Sequence, residues 1–542
     1  MPSTPTTKSQ VQAYQFVLRR MQSALVRKDS VMLHDPMRTH SRATIVGVVL
    51  SALAMLGFVI FGFFKPAPKA PDSGIVIGEQ SGSVYVVAGN PKKLIPTFNL
   101  ASARLMLMAQ QGGGEGGAAQ QQGGAVQAVE PEVVPDEQLK DIPRGRLQGI
   151  PNGPELLPNQ DQLISTDWAV CDEIVMDETV PDELARQNAT TETTVFAGNT
   201  NLGSQLSQEQ ALLVTADDGK TYLVYRQGPE PEDGSANAVR AEVDLSDEAV
   251  RQALELDPSD ARHISTGLLN AIPAVGELKA PEIEGAGSAT SGFNIDALPV
   301  GSVFRIPRTE GSDYYVVSRS GVQQVPQAVA ELTRFKNTTT GAGGGIPAVN
   351  PDQLTNMPFV EPGSEEYLDV GYYPQSVPSV LSPRQHPVSC LGWTVVGEGA
   401  SEAVRTAVYV RSVMPGPKNA QGQPQLVKIG TPGPDGWKID YFHMRPGFAA
   451  AVRSATTAET FGKGSIQLIS DRGMRYSVPN QATATALGLT DLRPAPESII
   501  KLLPVGASLN TQDVMRTYDA IPVDPEGGTI VQEEGAAAAG GN

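Results

Sequence analysis

Hydrophobic positions follow three patterns along this chain, and each predicts a different element. From Ser9 to Ser30, Val11, Tyr14, Leu18, Met21 and Leu25 recur at spacings of three and four, with Phe16 and Val17 widening the stripe. That is the period of an amphipathic helix. Arg19, Arg20, Arg27 and Lys28 flank the stripe and suit the helix to an inner-leaflet surface or a protein partner. From Ala43 to Phe64, ATIVGVVLSALAMLGFVIFGFF runs for 22 residues without a charge. As a helix it spans roughly 33 Å, enough to cross a bilayer core. Gly47, Ser51 and Ala54 fall on one face of it and permit close helix packing in the membrane. Farther on, short β-branched and aromatic runs follow Gly, Asp or Ser turns and precede Ala/Leu-rich segments, which predicts small hairpin-plus-helix units.

The apolar run is longer than the core of a secretory signal and begins only at residue 43. KPAPKAP behind it offers no small-x-small cleavage site, so the run predicts a retained anchor. Seven Lys/Arg against Asp29 and Asp35 give residues 1–42 a charge of +5, within a whole chain at −18. The positive-inside rule places this short arm in the cytoplasm and the acidic remainder outside. A charge of −23 on that remainder argues against nucleic acid as its partner. Its length calls for several domains, and 55 Gly and 43 Pro predict many turns and linkers between them.

The outer part is internally repetitive. VYVVAGNPKKLIPTFNLASAR, from Val84, matches YYVVSRSGVQQVPQAVAELTR, from Tyr314, at a constant offset of 230 that pairs Tyr85 with Tyr315, Pro96 with Pro326 and Arg104 with Arg334. ALELDPSDARHISTGLLNAIPAVGEL, from Ala253, resembles ALGLTDLRPAPESIIKLLPVGASL, from Ala486, at offsets of 233 and 231. Two independent pairs agreeing on one offset predict a tandem duplication, each copy with an early and a late α+β module. TADDGKTYLVY (215–225), EGSDYYVVSRSG (310–321) and SDRGMRYSV (470–478) each predict a hairpin, and the LPVG stretches at 298–301 and 503–506 predict a recurring exit from helix to strand. Gln110–Ala125 and Asn337–Gly345 are Gly-rich linkers, and the stretch from Asp524 predicts a flexible tail.

Candidate chemistry is sparse. The two cysteines, Cys171 and Cys390, fall one in each insert between modules, each with a Trp three residues away. An outer compartment favours a bridge between them, closing a very long loop; two buried thiols are the other reading. The five histidines include no pair at metal-ligand spacing, and no cofactor is expected. Gly219, Lys220 and Thr221 mimic the end of a phosphate loop, but Val214 stands where its first Gly belongs, so the triplet predicts a hairpin turn.

TTKSQVQAYQFVLRRMQSALVRKDSVMLHDPMRTHSRA, the anchor behind it, KLIPTFNLASARL, GIPNGPELL, WAVCD and CLGW together resemble the EccB family of the mycobacterial type VII (ESX) secretion apparatus, from about Thr6 to about Leu509. The resemblance implies an α+β protein with a cytoplasmic helix, a single transmembrane helix and a periplasmic part of four repeat modules around a central domain. It carries Cys171 and Cys390 over as a bridged pair. It also implies assembly in the inner membrane with EccC, EccD, EccE and a mycosin protease, and self-association into a large oligomer. ATPase activity is attributed to some members of that family. The expected organisation is a cytoplasmic arm (1–42), a membrane helix (43–64), modules at 72–109, 206–292, 293–336 and 463–523, a central domain divided between 110–205 and 337–462, and a tail (524–542). The leading expectation is a structural subunit that scaffolds or gates export; the alternative is a membrane-tethered module that binds cell wall, and a further one, implied by the resemblance, is an ATP hydrolase.

Overall fold

The computed structural model describes residues 7–28, 36–64 and 70–520, except 112–126, 178, 199–200, 229–237, 338–344, 421, 423 and 434–435. Most of the two Gly-rich linkers and the whole of 524–542 therefore lie outside the described residues. Met1–Lys69 and Ala70–Asn542 are separate compact units.

In the first unit, α1 (Lys8–Arg27) opens with the Thr7 N–H donating to Gln10 Oε1 at 3.0 Å, half of a capping box. It ends at Lys28 in the left-handed region. The second helix, α2 (Pro36–Phe64), holds a stretch of 22 residues, Ser41–Gly62, long and apolar enough to span a membrane.

The described residues of the second unit form a mixed α+β structure of five sheets. Its chain begins with β1 (Gly74–Gly78), β2 (Val84–Ala88), β3 (Lys93–Thr97), α3 (Leu100–Gln111), β4 (Glu132–Val134) and β5 (Leu147–Gln148). It continues through β6 (Trp168–Val175), α4 (Asp182–Gln187), β7 (Thr190–Ala197) and β8 (Ser204–Gln205). Next come β9 (Gln210–Thr215), β10 (Thr221–Arg226), β11 (Ala238–Glu242), α5 (Glu248–Ala253), β12 (Arg262–His263) and α6 (Thr266–Ala271). These lead to β13 (Val303–Pro307), β14 (Ser312–Val317), β15 (Val322–Val325), α7 (Gln327–Lys336) and α8 (Pro351–Leu354). After them run β16 (Ser379–Val380), β17 (Val388–Val396), β18 (Ala403–Arg411), β19 (Val427–Lys428) and β20 (Tyr441–His443). The chain closes with β21 (Ala449–Ala455), β22 (Ile466–Ser470), β23 (Arg475–Val478), α9 (Gln481–Ala486), β24 (Arg493–Pro496), α10 (Glu497–Ile500) and β25 (Thr517–Tyr518).

Four of the sheets share one topology. Three strands meander antiparallel, a helix follows, and the chain then returns parallel to the first strand: β4 on β1, β12 on β9, β24 on β21, and at Ala348 a single parallel bridge to Arg305 of β13. On the opposite edge an X-Pro segment covers the third strand. The N–H of Leu94, Arg240, Val322 and Arg475 donates to the carbonyl of Pro143, Pro273, Pro358 and Pro504, at 2.9, 2.8, 2.9 and 3.0 Å. The N–H of Gly145, Val275, Val360 and Gly506 donates back to the same four residues. Proline suits this place because only its carbonyl is called upon. Sheet edges that would otherwise stay open are thus closed.

This arrangement corrects one expectation. Leu503–Gly506 is such an edge cover, whereas Leu298–Gly301 leads into β13, with the Gly301 N–H on the Val317 carbonyl at 2.8 Å. The counterparts of 503–506 are Ile142–Gly145, Ile272–Val275 and Met357–Val360. A four-residue match does not encode which strand edge it meets. The pairing also carries β4 and β5 into the sheet of β1–β3, and β21 into that of β22, from spans that the sequence reading gave to the central domain.

The cores show how the units are joined. One cluster unites the first and last of the four small sheets, burying Val86, Leu105 and Met106 with Leu468, Leu487 and Leu489. Another unites the second and third through Leu213, Tyr225 and Leu254 with Val316, Val329 and Leu332. The fifth sheet lies between them in sequence and in core.

Candidate functional site, a disulfide-tied central sheet

The fifth sheet runs β19-β20-β7-β6-β17-β18-β8, and its middle pair, β6 and β17, comes from the two halves of the chain. WAVCDEIV and VSCLGWTVV are mostly apolar, interrupted by Asp172, Glu173, Ser389 and Thr394, and their first five and six residues are buried in succession, as expected of strands covered on both faces. Cys171 and Cys390 stand directly opposite in the antiparallel register, with Sγ atoms 2.06 Å apart in a disulfide. Both are buried. Trp168 and Trp393 are also cross-strand partners. Three residues from a cysteine places each on the other side of the pleat, so the disulfide faces a small cluster with Phe196, Leu202, Val388 and Met414, while the tryptophans face the large one. That large cluster gathers Leu212 and Val214 of β9, Leu268 and Leu269 of α6, and Ile499 and Ile500 of α10. The central sheet thereby holds elements from both halves of the chain.

Polar groups fix two of these joins. Asp172, next to the disulfide, is fully buried and accepts from Thr193 Oγ1 (2.8 Å), Ser265 N (2.7 Å) and Ser265 Oγ (2.8 Å). Ser265 is the N-cap of α6, its Oγ also accepting from the Leu268 N–H at 3.1 Å. Burial pushes the Asp172 carboxyl up to about 6, against the pull of these donors. Arg262 of β12 is buried too, its guanidinium donating to the carbonyls of His386 and Leu381, both at 2.6 Å. Burial lowers it to about 10. Neither residue stands out in sequence beyond its nearness to WAVCD or to the second repeat; each is made important by what folds over it.

The other predicted site residues belong to the first unit. Val11, Tyr14, Leu18, Met21 and Leu25 on α1 are all exposed. Gly47, Ser51 and Ala54 on α2 are exposed as well, with Ser51 Oγ donating to the Val48 carbonyl at 3.0 Å. Gly219 and Lys220 lie in the β9–β10 turn and Thr221 opens β10, paired with Thr215, while Lys220 Nζ sits 2.9 Å from Glu242 Oε2. Among the described residues no three His, Cys, Asp or Glu side chains gather at metal-binding distance.

The family model described as "Type VII secretion system ESX-1, transport TM domain B" matches residues 3–523. This chain belongs to the EccB family. It is 29% identical to the Mycobacterium tuberculosis protein named "ESX-1 secretion system ATPase EccB1" over 531 residues, covering 96% of each chain. To the Mycolicibacterium smegmatis protein named "ESX-3 secretion system ATPase EccB3" it is 28% identical, covering 96% of this chain and 92% of the relative. A chain of the solved intact ESX-5 inner membrane complex superposes with a TM-score of 0.64 at 27% identity, covering 98% of this chain and 99% of its own. A chain of the EccB3 dimer from the ESX-3 core complex does so at 0.63 and 25%, covering 82% and 100%. With family and fold shared over almost its whole length, this EccB protein is a structural subunit of type VII secretion.

Proposed function

We propose that this EccB chain anchors through Ser41–Gly62 in the inner membrane, with α1 in the cytoplasm and the Ala70–Asn542 unit in the periplasm, where it oligomerises to frame the export path. The basic charge of residues 1–42 supports that orientation. Its partners are EccC, EccD, EccE and a mycosin protease. The exposed apolar stripe of α1 meets the inner part of the complex, and the face of Gly47, Ser51 and Ala54 packs against a neighbouring membrane helix.

The observation that carries this reading is the central sheet, in which one disulfide and one shared core tie both halves of the chain into a stiff frame. The outer unit is read as four copies of one module, spanning about 74–145, 210–276, 303–360 and 449–506. The repeated meander, parallel return and proline-covered edge support that reading. Extraction of the tagged full-length protein in mild detergent, followed by native gel and mass spectrometry, tests the assignment. Co-migration with EccC, EccD and EccE in one large band is expected. A lone protein, with those partners verified in the same membranes, overturns it.

Repetition of one module favours a second reading, multivalent grip on a cell-wall polymer. Failure of the protein to co-sediment with isolated cell wall removes it. Relatives carry the name ATPase, but the GKT triplet of this chain is a hairpin turn, and hydrolysis is no part of the proposal.

A further inference from the structure

We propose that Asp172, Thr193 and Ser265 form a proton-responsive latch between the central sheet and α6: proton uptake by Asp172 tightens this seam and proton loss loosens it. The geometry is a carboxylate without solvent contact, held only by neutral donors, two of them from the N-cap residue of the helix that it fastens. Among the described residues no cationic side chain hydrogen-bonds it. Arg262, on the adjoining β12, spends its guanidinium on the His386 and Leu381 carbonyls. His263 of the same strand hydrogen-bonds Asp217 and Thr191 instead, at 2.8 and 2.9 Å, and favours the ionised form of Asp172 only through space. Asp440, before β20, takes the Thr193 N–H at 2.9 Å, and Glu173 on β6 lies opposite Glu192 on β7. Glu173 and Glu192 stand on the other side of the pleat from Asp172, so their charges do not face it.

The proton comes from solvent during transient opening of the seam, converting carboxylate to carboxylic acid with no other group transferred. Loss of one buried charge then favours the closed state. With the folded carboxyl near 6 and its ordinary value at 3.8, the stabilisation is complete below about pH 4 and lost as pH rises through about 6. What the latch holds is more than one helix. Gly267 of α6 fits under Leu502, where an added Cβ would meet Leu502 Cδ1 at 3.0 Å, so loosening α6 also loosens its contact with the last module.

Hydrogen exchange of the full-length protein in detergent, corrected for the intrinsic pH dependence of exchange, tests the latch. Opening of residues 266–271 is expected to rise by up to roughly a hundredfold between about pH 4 and pH 7. Asp172→Asn should flatten the profile, and Glu173→Gln should leave it intact. Thr193→Val, which removes one donor to the carboxylate, should move the midpoint upward. A flat wild-type profile, an unshifted midpoint in Thr193→Val, or loss of the dependence in Glu173→Gln overturns the proposal.

Discussion

Arg104 Nη1 donates to the carbonyl of Leu487 at 2.6 Å, across 383 residues of sequence. The guanidinium leaves α3, beside the first small sheet, and caps the end of α9, beside the last. Gly488 makes room for it, since a Cβ there would lie 2.7 Å from Nη1. The two ends of the second unit are therefore fastened to each other, and β25 adds a second fastening by pairing with β5.

Replacing Arg104 should open that join. Arg104→Ala strands the Leu487 carbonyl and leaves a void, which should cost about 2–4 kcal/mol in chemical denaturation followed by tryptophan fluorescence. Arg104→Lys should recover only part of this, because an ammonium lacks the fork that also reaches the Val129 carbonyl at 3.3 Å. Equal stability of all three proteins would remove the join from the account.

The disulfide closes a loop across 219 residues, for which the chain-entropy model gives roughly 5 kcal/mol. Cys171→Ser with Cys390→Ser should lower the unfolding midpoint clearly, and reductant should do the same to the wild type while leaving the double variant unchanged. A reductant-sensitive double variant would show that something else is being read.

Two glycines should respond in opposite ways. At Gly464 an added Cβ would lie 1.7 Å from the Ser454 carbonyl oxygen, in the β21–β22 hairpin, so Gly464→Ala should cost about 2–3 kcal/mol or more. At Gly430 nothing lies within 4 Å, and Gly430→Ala should change stability by less than about 0.5 kcal/mol. Thermal melts of the pair under one condition decide it.

Lys220→Ala should leave the melting temperature unchanged, because its partner Glu242 is a half-exposed residue across a hairpin. Any nucleotide hydrolysis measured in the purified protein should also persist in the variant. Loss of hydrolysis on this change would reinstate the GKT turn as a nucleotide contact.

Much of the protein is decided locally, and the sequence determined that part by itself. An uncharged 22-residue run predicts a membrane helix because backbone hydrogen bonds must be satisfied within it. The i, i+3, i+4 recurrence from Val11 to Leu25 predicts α1 for a similar reason, and the hairpins at 215–225, 310–321 and 470–478 follow from turn residues flanked by β-formers. The match of Arg104 with Arg334 is likewise visible in the string, yet their partners are not. Arg104 reaches Leu487, while Arg334 stays on its own helix, 2.7 Å from Glu331. What tertiary structure alone decided is which edges and faces meet: that two LPVG stretches do different work, that Trp168 and Trp393 pair behind the disulfide, and that Asp172 ends up dry beneath α6. The reason is range. Propensity and periodicity act over a few residues, whereas strand order, shared cores and the desolvation of a carboxylate depend on segments hundreds of residues apart arriving at one place.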